Sequence, residues 1–202
     1  MIKAIIFDVG NVLVKGINAS SYIAKVVNAT DRQVWSIMKP LIDDYTVGKI
    51  SRSRFWPHLL KELGKPHGKG EVRKYEERLL KIYRIKTEKK TGTINIAKKL
   101  KRKGYKLAVL SNTVPDSAML RKRQSFMKIF DYKFFSADIK LKKPDRRVYL
   151  YVARKLRVKP SQCLYIDNNR KFINAAEKIR MQTITFRNPK QLENSLQRMK
   201  VL

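Results

Sequence analysis

Four short apolar runs constrain this chain most: "AIIF" (4–7), "KLAVLS" (106–111), "CLYI" (163–166) and "TITF" (183–186). A weaker fifth is "YKFF" (132–135). Most are too short for helices and rich in β-branched or aromatic residues, so they predict buried strands. Helical patterns stand between them, among them "INIAKKLKRK", "DRRVYLYVARKL" and "KFINAAEKI". Such alternation predicts an α/β fold: a parallel sheet covered on both faces. Right-handed crossovers then bring every strand's C-terminal end to one edge. Ligands of open α/β sheets bind at that edge.

Residues 15–89 break the alternation. They read as four helices, over 19–28, 31–46, 52–64 and 70–86, with no clear strand. Gly48, Gly64–Pro66 and Gly68–Gly70 mark the joints. This predicts a helical insert after the first strand. A length of 202 residues suits one core domain carrying such an insert. No internal repeat is evident.

Composition narrows the class. Hydrophobic residues make up 43% of the chain, enough for a packed core. No apolar run approaches the ~18 residues of a membrane span. The start "MIKAIIFDVGNVLV" reads as a buried strand interrupted by Asp8, not as a signal peptide. The single Cys163 permits no internal disulfide. A soluble, cytoplasmic setting is the expectation. The charge is extreme, with 47 Lys and Arg against 16 Asp and Glu, a net of +31. Such a field attracts polyanions, nucleic acid included. Yet residues 15–89 carry 17 basic and 8 acidic side chains and the rest 30 and 8, so no confined patch stands out. The densest run, "KKLKRKGYK" (98–106), fits the polar face of one amphipathic helix. A basic surface without a dedicated nucleic-acid role is the favoured reading; the alternative is a catalytically weak protein whose basic surface binds RNA or another polyanion.

Each strand end carries a polar signature. Strand one ends in Asp8, and strand two in Ser111 and Asn112. Lys143 stands just before Pro144 in "KLKKPDRRVY", and strand four ends in Asp167 within "YIDNN". Topology brings these distant segments to one edge, which is a stronger signal than any one motif.

In that order, "DVGNVL", "LSNT", "KKPD" and "IDNN" resemble the four motifs of the haloacid dehalogenase-like (HAD) hydrolase superfamily, in its phosphatase branch with a helical cap. The resemblance covers essentially the whole chain, including "YTVGKISRSRFW" in the insert. It implies a Rossmann-like core over 1–14 and 90–202 and a cap over 15–89. It further implies hydrolysis of a small phosphorylated metabolite with Mg2+ as cofactor. Asp8 would be the nucleophile. Asp8, the backbone carbonyl of Gly10 and Asp167 would hold the metal. The Ser111 hydroxyl, the Asn112 backbone N–H and Lys143 would bind the phosphate, with Lys143 also offsetting charge on Asp8. The chemistry supports these roles: a carboxylate attacking a phosphoryl group needs a cation beside it, and Mg2+ prefers hard oxygen donors.

Two positions depart from the family pattern. The typical phosphatase has a second Asp two residues after the nucleophile, to protonate the leaving oxygen and activate water. Gly10 does neither. This points to a good leaving group, such as an anomeric or acyl phosphate, or to a proton from substrate, water or cap. Asn168 stands where a second acid is common. Two missing carboxylates imply weaker Mg2+ affinity. Dehalogenation, the family's other chemistry, also uses an Asp nucleophile but needs no metal. Asp167 beside Lys143 suits a metal–phosphate site better.

Other candidates carry less. Tyr22, Trp35, Tyr45, Phe55, Trp56 and His58 are expected to pack the insert's own helices. Asp43 and Asp44 are placed to deliver a proton but sit near a predicted helix end, where solvation is the plainer reading. His58 and His67 lack metal-ligand spacing, and Cys163 is expected in the core.

Overall fold

The computed structural model describes residues 1–16, 18–86 and 88–202, apart from the side chains of 84–86. Ile17 and Thr87, both inside the expected insert, lie outside the described residues. The elements in chain order are β1 (Ala4–Phe7), α1 (Ala19–Val27), α2 (Asp31–Met38), α3 (Ile42–Thr46), α4 (Arg52–Glu62), α5 (Lys69–Lys86), α6 (Thr91–Arg102), β2 (Lys106–Ser111) and α7 (Pro115–Lys122). There follow β3 (Tyr132–Phe135), α8 (Ser136–Ile139), α9 (Arg146–Leu156), β4 (Cys163–Asp167), α10 (Arg170–Glu177), β5 (Gln182–Thr185) and α11 (Pro189–Arg198).

The five strands form one parallel sheet in the order β3-β2-β1-β4-β5. The weak run 132–135 is one of its two edge strands. β1 lies at the centre and is fully buried, which is why its sequence is apolar throughout rather than alternating. Successive side chains still divide between the faces. Ile5 and Phe7 join Leu107, Val109, Leu164 and Ile166 against α6 and α11. Ala4 and Ile6 join Ala108, Leu110, Cys163 and Tyr165 against α9 and α10. Each large side chain so buried is worth about 1.5–3 kcal/mol. The Lys-rich run of α6 points outward, while Ile94, Ala97 and Leu100 point inward. No helix among the described residues is long and apolar enough to cross a membrane.

Residues 15–89 leave and rejoin the core at one place. Lys15 N donates to Glu88 O at 2.8 Å and Lys90 N to Leu13 O at 2.9 Å. Between these points the described residues form five helices rather than the four expected. The predicted helix over 31–46 is α2 and α3, parted at Lys39–Leu41. Pro40 explains the break, since it has no N–H and its ring clashes with a carbonyl in the preceding turn. Ile23, Val34, Met38, Tyr45, Phe55, Trp56 and Leu59 make a separate apolar core, which reaches Leu120 of α7. Tyr22 packs against it. Trp35 and His58, expected there, are exposed instead.

The helical layer is fastened to the core through α7 and α8. Buried Asp116 of α7 accepts a hydrogen bond from Tyr45 OH, meets Arg52 Nε at 2.7 Å and lies 3.4 Å from Trp56 Nε1. Ser117 Oγ donates to Tyr83 OH at 3.0 Å. Ser136 of α8 donates to Thr46 O at 2.8 Å. Gly48, at φ +67°, passes so close to α8 that a Cβ there would lie 2.4 Å from Ala137 O.

Candidate active site

Parallel register places the first two acids side by side. Phe7 of β1 is level with Ile166 of β4, and Asp8 N donates to Ile166 O at 2.8 Å. Asp8 and Asp167 therefore leave neighbouring strands at the same height. Lys143 enters between them: its Nζ lies 2.7 Å from Asp8 Oδ1 and 2.8 Å from Asp167 Oδ2. The side chains of Lys143 and Asp167 are each 1% exposed, so little water screens these pairs. The same ammonium sits 4.7 Å from the centroid of the Phe172 ring.

The two carboxylates are held differently. Asp167 is engaged on both oxygens, with Tyr165 OH and Lys143 on Oδ2 and Asn169 N alone on Oδ1 at 2.8 Å. It does not cap α10; Asn169 does, accepting from Lys171 N at 2.9 Å. Asp8 Oδ2 accepts no hydrogen bond from the described residues. Burial raises the Asp8 carboxyl above its ordinary pKa, Lys143 opposes this, and the Asp167 charge adds to the rise.

Strand β2 supplies the next pair. Ser111 Oγ accepts from Arg121 Nη1 at 3.0 Å. Asn112 turns its side chain to the main chain of Lys143, donating through Nδ2 to the carbonyl and accepting the N–H on Oδ1, both at 2.8 Å. The Lys143–Pro144 peptide bond is cis.

A cavity of about 570 Å³ opens over this edge. Asn112, Arg121, Lys143 and Phe172 line it from the sheet side, and Asp43 and Tyr83 from the helical layer. A larger cavity, about 750 Å³, lies beside α9 and α10. Its lining includes neither Asn112 nor Lys143, so the smaller cavity is the one beside the strand-end residues.

The donors fit a hard divalent cation. Asp8, Asp167 and the Gly10 carbonyl offer oxygen only. Gly10 lies against the open side of Asp8, since a Cβ there would sit 3.8 Å from Asp8 Oδ2. No cluster of three or more His, Cys, Asp or Glu suited to a metal exists among the described residues. Waters and a substrate oxygen would complete such a shell. Asn168 is exposed.

The lesser candidates fall away. His58 and His67 are exposed. Cys163 is buried, which pushes its thiol up to about 12. Asp44 pairs with Lys49 at 3.0 Å in solvent, whereas Asp43 pairs with Lys142 at the cavity wall. Sequence reasoning missed Arg121, Tyr83, Phe172 and Tyr165. Only Tyr165 carried a readable signal: two residues before Asp167 in a strand, it faces the same side.

The comparisons agree with this fold. Residues 2–179 match the haloacid dehalogenase-like hydrolases. A HAD family enzyme from Bacteroides thetaiotaomicron, solved with magnesium and inorganic phosphate, is similar at 17% identity and TM-score 0.73, over 93% of this chain and 96% of that one. A predicted HAD-like hydrolase from Porphyromonas gingivalis is similar at 22% identity and TM-score 0.76, over 99% and 98%. So is a 2-haloacid dehalogenase from Pseudomonas syringae, at 19% identity and TM-score 0.71, over 98% and 100%. With the sheet order, the four motifs and a match spanning most of its length, the chain belongs to the haloacid dehalogenase-like hydrolase family.

Proposed function

We propose that the chain is a Mg2+-dependent phosphatase of small phosphorylated metabolites, acting through an aspartyl-phosphate on Asp8, with residues 15–89 as its cap. One observation carries this reading: a single buried ammonium lies between two carboxylates on adjacent strand ends, and one oxygen of Asp8 remains open. Oδ1 is held by Lys143, so Oδ2 is the attacking oxygen. Asp8, Asp167 and the Gly10 carbonyl would hold Mg2+, which when bound supplies positive charge to the phosphoryl oxygens. The Ser111 hydroxyl, the Asn112 backbone N–H and Lys143 take the remaining charge. The Asp8 carboxylate forms a bond to phosphorus as the ester P–O bond breaks. Water then opens the acyl phosphate and releases inorganic phosphate. The cap excludes bulk water and selects the rest of the substrate.

Gly10 limits the substrate. Loss of a general acid costs about 10²–10⁴-fold, so esters with good leaving groups are the favoured class. The magnesium and phosphate bound to the Bacteroides enzyme support the reading. A dehalogenase would use Asp8 on carbon without a metal, and would leave the Asp8, Gly10 and Asp167 oxygen set without a task.

The test is phosphate release from a broad panel of phosphorylated metabolites, with and without Mg2+, beside Asp8→Asn. Turnover that needs both Mg2+ and Asp8 is the expected result. Chloride release from 2-haloacids without metal, and no phosphate release, would replace the phosphatase with a dehalogenase.

A further inference from the structure

Arg121 has no role in the reaction as so far described. It sits on α7, lines the 570 Å³ cavity and is half-buried. A guanidinium carries five N–H donors. Among the described residues only Nη1 has an acceptor, the Ser111 hydroxyl at 3.0 Å. No carboxylate of the described residues lies within ion-pair distance of it. Burial pulls its pKa below the ordinary value, and Asp8 and Tyr83 draw it back up. A guanidinium remains charged throughout. Taking such a cation from water without a carboxylate partner is costly. The position makes sense if an anion arrives beside it.

The Ser111 contact points the same way. Arginine can only donate, so the Ser111 oxygen is the acceptor and its own O–H must point elsewhere. No acceptor for that O–H exists among the described residues. The hydroxyl proton and the remaining guanidinium N–H groups are thus left without acceptors among the described residues, beside the cavity that Arg121 lines. The charges agree. Asp8 and Asp167 outweigh Lys143 by one negative charge, and Arg121 brings the four to neutrality. A dianionic phosphoryl group meets less repulsion than the three residues alone would give.

We propose that Arg121 is a further phosphoryl-binding residue: it takes the transferring phosphoryl group directly and aims the Ser111 hydroxyl at it. The proposal rests on the phosphatase reading. It differs from a structural role in what it demands, since a merely structural arginine leaves phosphate affinity alone.

The experiment is calorimetric titration of inorganic phosphate, in excess Mg2+, into the full chain and into Arg121→Gln, Arg121→Lys, Ser111→Ala and the double variant Arg121→Gln/Ser111→Ala. Thermal melts of each protein run beside it. Arg121→Gln is expected to weaken phosphate binding roughly 10- to 100-fold. The double variant should lose less than the product of the single losses, because the two groups share a contact. Should Arg121→Gln fail to fold, Arg121→Lys decides. It keeps the charge and is expected to lose affinity several-fold, since one ammonium does not reproduce a planar fork. Wild-type affinity in whichever variant folds overturns the proposal. Turnover on the metabolite panel with unchanged phosphate affinity in Arg121→Gln would remove Arg121 and keep the phosphatase. No turnover and no phosphate binding by the wild type would remove both.

Discussion

Asn112 and Lys143 are joined by two reciprocal hydrogen bonds, each 2.8 Å, between the amide side chain of one and the main chain of the other. The segment before Pro144 is therefore fixed to the end of β2, and the Lys143 side chain reaches the two carboxylates from a defined start. Asn112→Ala leaves a main-chain donor and acceptor without partners. Thermal melts should show a loss of about 1–3 kcal/mol. Phosphate release by the folded variant should fall as well, because Lys143 loses its register. Full activity with a lowered melting temperature would reduce Asn112 to a structural role.

Lys143→Met should be the most damaging change at the site. It leaves Asp8 and Asp167 buried without their cation, which costs about 3–5 kcal/mol. Urea unfolding at neutral pH measures this. Lys143→Arg is not expected to rescue either stability or turnover, because a planar guanidinium does not fit where a compact ammonium meets two carboxylates. An Arg variant with wild-type stability would refute that.

Gly10→Asp is predicted to gain activity. The backbone at Gly10 is not left-handed, and the nearest atom to an added Cβ is Asp8 Oδ2 at 3.8 Å, an ordinary contact. A carboxylic acid there would serve the leaving oxygen. Alkyl phosphates, which leave poorly, should gain on the order of 10²-fold, while good leaving groups gain little. A uniform change across leaving groups would show that protonation does not limit the wild type.

Asp131 is expected to contribute to the acid limb of stability. Burial pushes this carboxyl up, but Lys101 and the Leu107 N–H outweigh it, and the folded pKa lies below the ordinary value. A depressed acid stabilises the fold above its unfolded pKa of about 3.9 and loses that contribution as pH falls through the folded value. Asp131→Asn should flatten the decline in urea midpoint below about pH 4. The pair is partly exposed, so the difference should stay under ~1 kcal/mol. An unchanged slope would place the acid sensitivity elsewhere.

The centre of the sheet was legible because β1, β2 and β4 are buried on both faces, which makes their sequences almost wholly apolar. Asp8, Ser111, Asn112 and Asp167 were legible because strand ends in a parallel sheet share one edge, and Lys143 because it directly precedes Pro144. The split between α2 and α3 was harder to read. Val34, Met38, Ile42 and Tyr45 keep a helical spacing through Pro40, and that periodicity masked the break. Arg121 and Tyr83 left no mark at all. Arg121 reaches Ser111 across a loop and two turns of helix, and Tyr83 meets α7 only after the chain has folded. Such partners are set by packing, and no local pattern encodes them.

Asp116 and Arg121 sit on the same short helix, one turned to the helical layer of residues 15–89 and the other to the cavity. If that layer lifts while α7 stays, a buried carboxylate loses Tyr45, Arg52 and Trp56 together. If α7 travels with the layer, the guanidinium leaves the hydroxyl at the end of β2. On the proposed function, admission of substrate and readiness of the arginine for the phosphoryl group would be coupled through α7.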